Sequence, residues 1–117
     1  MQYSGQCHCG CVSFSFDVSC IKEGLTCNCS LCLRKGAIMS NFILSEEALV
    51  REIKDDALST YTFGTGVAKH HFCQKCGIYP FHQTLRKPGF YRVNLNCIEG
   101  LDLNSLSLSE FDGAHLL

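Results

Sequence analysis

The chain has 117 residues, a length typical of one domain, and 46% of them are hydrophobic, which is enough for one core. Its formal net charge is −1, and its longest basic groups are the pairs Arg34-Lys35 and Arg86-Lys87. Because nucleic-acid binders usually carry a strongly basic face, this balance argues against a nucleic-acid partner, and we predict a single domain over residues 1–117.

The first half of the chain predicts two strands and two short helical segments. Apolar and polar residues alternate over residues 12–18, which is typical of a half-buried strand. Residues 30–35 predict one helical turn that ends before Gly36. The near-continuous apolar run 37–44 predicts a strand buried on both faces, and the serine and two acids that open residues 45–49 predict a short helix start.

The second half of the chain predicts two β-hairpins. Residues 58–63 and 67–72 flank the sequence Gly-Thr-Gly, and residues 78–85 and 90–95 flank Lys-Pro-Gly. Because helical patterns are scarce, the predicted fold class is mainly β with few short helices.

Ten cysteines are the unusual feature of the composition. Such a density is typical of a secreted disulfide framework or of metal binding. The N-terminal sequence MQYSGQCHCG has no basic start and no apolar run, unlike a signal peptide, and no stretch reaches the roughly 18 apolar residues that span a bilayer. We therefore expect a cytoplasmic chain without a membrane partner, whose clustered thiols stay reduced and bind metal.

Two close cysteine pairs, each followed by glycine, predict a closed metal site. They are Cys7-His8-Cys9-Gly10 and Cys73-Gln74-Lys75-Cys76-Gly77. Four thiolates suit a tetrahedral structural zinc, and the glycine permits the positive φ that a sharp turn around the metal often requires. The alternative is two independent cysteine pairs, either redox-active or simply buried.

A third group offers three thiolates within six residues, namely Cys27, Cys29 and Cys32, and no fourth ligand lies adjacent. Three protein ligands and one open position are typical of a catalytic zinc. Such a zinc is soft enough to bind a thiol and deprotonates it, which suits a thiol substrate. Arg34 and Lys35 would offset the negative charge and are candidates for binding a substrate carboxylate.

Other arrangements of the cysteines remain open at this point. The second site would be closed if one further residue completed it, the candidates being Cys20, Cys97, His70, His71 and His82. Iron could also join two Cys-x-x-Cys pairs, those of Cys29 and Cys32 and of Cys73 and Cys76, in a rubredoxin-like site. We expect the remaining three cysteines to be buried small side chains without a special role, as free cysteines commonly are: Cys11, Cys20 and Cys97.

The three cysteine motifs together resemble one known family. They read Gly5-x-Cys7-x-Cys9-Gly10-x-Val12-x-Phe14, then Cys27-x-Cys29-Ser30-x-Cys32-x-Arg34-x-Gly36, then Phe72-Cys73-x-x-Cys76-Gly77. This pattern is similar to that of the glutathione-dependent formaldehyde-activating enzymes, a family that also includes centromere protein V. The resemblance extends from about Tyr3 to Phe111.

The resemblance implies a small Mss4-like, zinc-stabilised β fold with two zinc ions. The first and third motifs would hold a structural zinc through Cys7, Cys9, Cys73 and Cys76. The middle motif would hold a second, more labile zinc with a proposed catalytic role through Cys27, Cys29 and Cys32. The family's founding activity adds glutathione to formaldehyde, so the implied class is a carbon–sulfur lyase with glutathione as its small-molecule partner. The formaldehyde-activating enzymes are longer than this chain, which is close to the bare domain.

Two hypotheses of function follow. The first is a zinc-dependent carbon–sulfur lyase that acts on a thiol adduct of an aldehyde such as formaldehyde, with His71, His82 and Tyr91 as candidate proton donors. The second is a non-enzymatic interaction module stabilised by two structural zinc sites.

Overall fold

The computed structural model describes residues 1–116 and is mostly β, which confirms the predicted fold class. The strands are β1 (Gln2–Gln6), β2 (Val12–Asp17), β3 (Glu23–Cys27), β4 (Val50–Ile53), β5 (Leu58–Tyr61), β6 (Lys69–Cys73), β7 (Phe81–Gln83), β8 (Tyr91–Val93) and β9 (Ser107–Phe111). The helices are α1 (Ser30–Lys35) and α2 (Gly113–Leu116), with 3-10 turns at Leu95–Cys97 and Leu103–Ser105. Within the described part of the chain, no helix has the length and apolar character to cross a bilayer.

The strands form three sheets. One is antiparallel with the order β1-β2-β4, the second pairs β3 with β9 in parallel, and the third is antiparallel with the order β5-β6-β7-β8. Both predicted hairpins are confirmed, since Leu58 pairs with Cys73 across β5 and β6 and Phe81 pairs with Val93 across β7 and β8.

The predicted alternation in β2 joins two of the sheets. Val12, Phe14 and Phe16 are buried, while the residues between them are more accessible, as period-two patterning requires. The ring of Phe14 meets Phe81 of β7 edge to face, with 6.0 Å between centroids. The core therefore lies between the first sheet and the third.

The predicted strand at residues 37–44 is wrong. Met39 pairs with Leu25 in two hydrogen bonds of 2.8 Å, but the next residue, Ser40, donates its N–H to Val93 of a different sheet. The Ser40 hydroxyl also bonds the Phe42 carbonyl at 2.8 Å, and this local bond competes with a continuous ladder. The apolar run is therefore buried as a bridge between β3 and β8 rather than as a strand.

The predicted helix at residues 45–49 is reduced to a single turn. Ser45 caps it as expected, because its hydroxyl accepts the N–H of Ala48 at 3.2 Å. The chain then enters β4 at Val50, so the turn cannot lengthen. The helical turn at residues 30–35 is confirmed as α1, and Gly36 ends it with a φ of 68°.

Gly5 is required where β1 meets the segment after β8. A Cβ built at Gly5 would lie 2.7 Å from the Cys97 carbonyl oxygen and 2.7 Å from the Phe14 ring. We expect Gly5→Ala to lower the free energy of unfolding by about 1–3 kcal/mol, because backbone and a packed ring would have to move. Denaturant titration of the metal-loaded protein measures this, with Ser4→Ala, at an exposed neighbour, as the control. A stability equal to that of the control would contradict the expected clash.

Candidate functional site

The first two cysteine pairs lie in turns of the same design. The N–H of Cys7 donates to the Val12 carbonyl at 2.9 Å, and the N–H of Cys73 donates to the Ile78 carbonyl at 2.9 Å, so each six-residue loop closes on itself. Gly10 and Gly77 have φ values of 82° and 80°, which is the glycine conformation predicted from the sequence.

These two turns bring four thiols together across the chain. The sulfurs of Cys7, Cys9, Cys73 and Cys76 all lie within 4.8 Å of one another. The distance between sulfurs is 3.7 Å for Cys7 and Cys9 and 3.6 Å for Cys9 and Cys73. A disulfide would require about 2.05 Å, whereas bonds of about 2.3 Å to a tetrahedral zinc place sulfurs about 3.8 Å apart. The donor set and its spacing therefore fit zinc.

Backbone N–H groups surround this first cluster. Val12 donates its N–H to the Cys7 sulfur at 3.3 Å. Burial alone would raise the pKa of Cys76, but hydrogen bonds from the N–H groups of Ile78 and Cys9, and from neighbouring thiols, lower it to about 6. The second turn thus stabilises the thiolate of Cys76, and thiolate is the form that binds metal.

The second cluster is built at the junction of β3 and α1. Cys27 ends the strand, Cys29 caps the helix, and the N–H of Cys32 donates to the Cys29 sulfur at 3.4 Å. The three sulfurs lie within 4.8 Å of one another, and over residues 1–116 no further His, Cys, Asp or Glu joins them. Both cysteine clusters can therefore hold a metal ion, and the second has three protein ligands.

The arrangements that would have closed the second site, or joined the two sites, are not what the structure contains. None of the candidate residues completes the three-cysteine cluster; these were His70, His71, His82, Cys20 and Cys97. The thiols of the cluster also do not group with those of Cys73 and Cys76. All ten cysteines are free. Cys20 is exposed, contrary to expectation, because it lies in the connection between β2 and β3. Cys11 and Cys97 are half-buried.

The two cations next to the second cluster behave differently. The Lys35 ammonium donates to the Cys32 sulfur at 3.7 Å and lies 4.0 Å from the centroid of the Tyr79 ring. Burial raises the pKa of Cys32 to about 12 against the opposing charge of Lys35. Arg34 instead turns back along its own helix to the Ser30 carbonyl at 2.8 Å.

A cavity of about 860 Å³ opens beside the second cluster. All three cysteines of the cluster line it, together with apolar side chains such as Met39, Phe63 and Phe111. Its polar wall carries His70, His82, Arg86 and Arg92, and within residues 1–116 no Asp or Glu lines it. Its size is that of a small-molecule site, and its charged side chains favour an anionic ligand.

Two histidines of this wall, which lie on adjacent strands, share one tyrosine as a hydrogen-bond partner. His70 of β6 is paired with His82 of β7, and the Tyr79 hydroxyl lies 2.7 Å and 2.8 Å from their respective Nδ1 atoms. Burial is the main cause that lowers the pKa of His70 to about 4, and it lowers the pKa of His82 as well. Both rings are therefore neutral near pH 7.

The other two predicted proton donors lie away from the cavity. His71 contacts Thr60 at 2.8 Å through Nδ1 and Gln83 at 3.1 Å through Nε2, and its ring stacks on Tyr91. The Tyr91 hydroxyl accepts a hydrogen bond from Arg51. His70 and His71 lie on opposite faces of β6, as the alternation of side chains along a strand requires.

The comparison with protein families agrees with the two clusters. The family model described as "Glutathione-dependent formaldehyde-activating enzyme" matches residues 2–107. The chain belongs to this glutathione-dependent formaldehyde-activating enzyme family. A Rhodobacter sphaeroides protein of known crystal structure has a similar fold, with a TM-score of 0.78 and 34% sequence identity over 91% of this chain and 99% of that one.

Part of the cavity wall in this family member comes from residues that follow the matched region. Phe111, Gly113 and Ala114 line the cavity, and Asn28 holds their segment in place. The Asn28 side chain donates to the Asp112 carboxylate at 3.0 Å and accepts the Ala114 N–H at 2.9 Å. Asn28 stands between two cysteines of the second cluster, so the cluster and the C-terminal wall are directly linked. Neither this role nor those of Tyr79, Arg86 and Arg92 was predicted from the sequence.

We expect Asn28→Ala to loosen the C-terminal wall of the cavity. Loss of about 1 kcal/mol of hydrogen bonding should make the amide of Ala114 exchange with solvent about fivefold faster. Hydrogen exchange of the metal-loaded protein measures this, with Asn104→Ala, an exposed asparagine elsewhere, as the control. Equal exchange of the Ala114 amide in both variants would show that Asn28 does not hold the segment.

Proposed function

We propose that the chain is a zinc-dependent carbon–sulfur lyase that forms or cleaves the adduct of a glutathione-type thiol with an aldehyde such as formaldehyde. One observation carries this proposal: the three thiols of Cys27, Cys29 and Cys32 lie together without a fourth protein ligand and line a cavity of about 860 Å³. The family description supports the same chemistry, because it names both glutathione and formaldehyde.

The two clusters would have different roles. Cys7, Cys9, Cys73 and Cys76 would hold a structural zinc, since four thiolates complete its coordination. Cys27, Cys29 and Cys32 would hold the second zinc, which would be more labile because fewer protein ligands retain it. A zinc ion held there would lower the pKa of a bound thiol.

The cavity has groups suited to the rest of a glutathione-type molecule. Arg86 and Arg92 line it and provide two positive charges for substrate carboxylates. The Arg86 guanidinium lies 4.9 Å from the centroid of the Phe111 ring, which orients it along the wall. These two arginines replace Arg34 and Lys35 in the proposed carboxylate role, because neither Arg34 nor Lys35 lines the cavity.

The proposed reaction requires a proton donor as well as a thiol. Sulfur attacks the aldehyde carbon, the S–C bond forms, the π bond of the carbonyl breaks, and the proton lost by sulfur ends on oxygen. Of the three predicted donors, only His82 lines the cavity. Its partner in the β6–β7 ladder, His70, was not among the predicted donors but lines the cavity as well. His71 and Tyr91 pack against one another in a different environment, so we assign them no chemical role.

The rival hypothesis of an interaction module with two structural zinc sites needs a closed second site. Over residues 1–116 the three-cysteine cluster has no fourth His, Cys, Asp or Glu ligand, and it faces a cavity instead of a packed interior. Both features favour the enzyme.

We expect the two clusters to differ sharply when one thiol is removed. Cys73→Ser should destabilise the whole fold, because it breaks a metal link between residues 64 positions apart. Cys29→Ser should leave a folded protein that retains one zinc ion of two. Native mass spectrometry and circular dichroism measure zinc content and fold. Equal loss of structure in both variants would contradict the proposed division of roles.

We expect the zinc-loaded protein to bind glutathione with an affinity that depends on Arg86. Arg86→Gln should weaken glutathione binding about tenfold, which corresponds to loss of about 1.4 kcal/mol from one charge-assisted contact. Calorimetry measures the affinity, and Lys87→Gln, at the exposed neighbouring cation, is the control. No binding at millimolar glutathione, together with no turnover of glutathione and formaldehyde, would disprove the proposed function.

A further inference from the structure

The Tyr79 hydroxyl is held between two imidazole rings. His70 and His82 are directly opposite in the β6–β7 ladder, and their ring centroids are 5.8 Å apart. Tyr79 is fixed in the segment before β7, because its carbonyl accepts the side-chain amide of Asn94 at 2.8 Å. The three side chains therefore form a preorganised array, of which His70 and His82 line the cavity.

The number of protons available in this array restricts the tautomers of its two histidines. A phenol has one proton to donate, and the two Nδ1 atoms are the only hydrogen-bond partners of the Tyr79 hydroxyl among residues 1–116. The ring that receives this proton must have a bare Nδ1. The other ring must donate Nδ1–H, because two lone pairs facing each other at 2.7–2.8 Å would repel.

We propose that His70, Tyr79 and His82 form a proton relay with complementary histidine tautomers, and that the relay moves the substrate proton from sulfur to oxygen. One ring carries its proton on Nδ1 and presents a bare Nε2, whereas the other carries its proton on Nε2. The pair thus contains one proton acceptor and one proton donor. The catalytic part of this inference rests on the proposed function; the tautomer pattern does not.

The relay conserves protons at each step. Nε2 of the first ring takes the proton that the thiol loses, and the Nδ1 proton of that ring passes to the Tyr79 oxygen. The Tyr79 hydroxyl proton passes to Nδ1 of the second ring, whose Nε2 proton goes to the aldehyde oxygen. Both rings end neutral with their tautomers exchanged, and exchange with water at the Nε2 atoms resets them.

The position of the relay relative to the second cluster supports this role. Lys35 joins the two, since its ammonium lies 4.0 Å from the centroid of the Tyr79 ring and 3.7 Å from the Cys32 sulfur. Phe63 stacks on His70 with 5.6 Å between centroids, and Phe63, His70 and His82 all line the cavity together with the three cysteines. A substrate in the cavity would therefore contact both the cluster and the two histidines.

Long-range proton–nitrogen NMR of the zinc-loaded protein at pH 7 tests the tautomers directly. We expect one of His70 and His82 to be the Nδ1–H tautomer and the other the Nε2–H tautomer. Tyr79→Phe should abolish this complementarity, while His71, which bonds Thr60 and Gln83 instead, keeps its nitrogen shifts. The same tautomer in both rings of the unmodified protein would overturn the inference.

Kinetics with glutathione and formaldehyde test the catalytic part. We expect Tyr79→Phe to lower kcat about 100-fold with KM within about twofold and with two zinc ions retained. Tyr61→Phe, which removes a hydroxyl from a solvent-exposed side chain, should retain the kcat of the unmodified protein. An unchanged kcat in Tyr79→Phe would overturn the relay. If the unmodified protein itself lacks this activity, the proposed function fails, and the tautomer measurement alone decides the inference.

Discussion

Convergence of the Cys7–Cys9 turn and the Cys73–Cys76 turn is the constraint on which the rest of the structure depends. Their sulfurs approach to 3.6 Å although the residues are 64 positions apart. A metal ion held by both turns would stabilise the fold that closes this long loop, because the unfolded chain has no preformed site for it. It also fixes where β2 begins and where β6 ends. Because β6 also carries His70, a constraint whose four cysteines do not line the cavity sets the position of a residue that does.

The second cluster is assembled by local structure and not by contacts between distant parts of the chain. Its three thiols come from one short segment, so the strand end, the helix cap and the first helical turn suffice to assemble them. Only the walls around them depend on the long-range fold, because His82, Arg92 and Phe111 come from β7, β8 and β9. A ligand set of local origin can therefore keep its spacing while distant elements determine what enters the cavity.

The sequence is informative where the structure is local. Alternation in β2, the glycine turns of the two hairpins and the six-residue helix depend on neighbours in the chain, and all were predictable. The run at residues 37–44 was not, because its hydrogen bonds alternate between β3 and β8 and apolar content does not reveal such partners. The roles of Tyr79, Arg86 and Arg92 were not predictable for the same reason, since each lies more than 40 residues after the cysteines that it serves.

His70 and His71 are buried to nearly the same extent but lie on opposite faces of β6. His71 packs against Phe81 and Tyr91 and contacts Thr60 and Gln83, so both its ring nitrogens are engaged within the fold. His70 contacts Tyr79 through Nδ1 and lines the cavity. Burial lowers the pKa of both rings to about 4, so low pKa does not distinguish them. The distinction is geometric: a neutral histidine with an accessible nitrogen can exchange a proton with a ligand, whereas one with both nitrogens engaged serves packing.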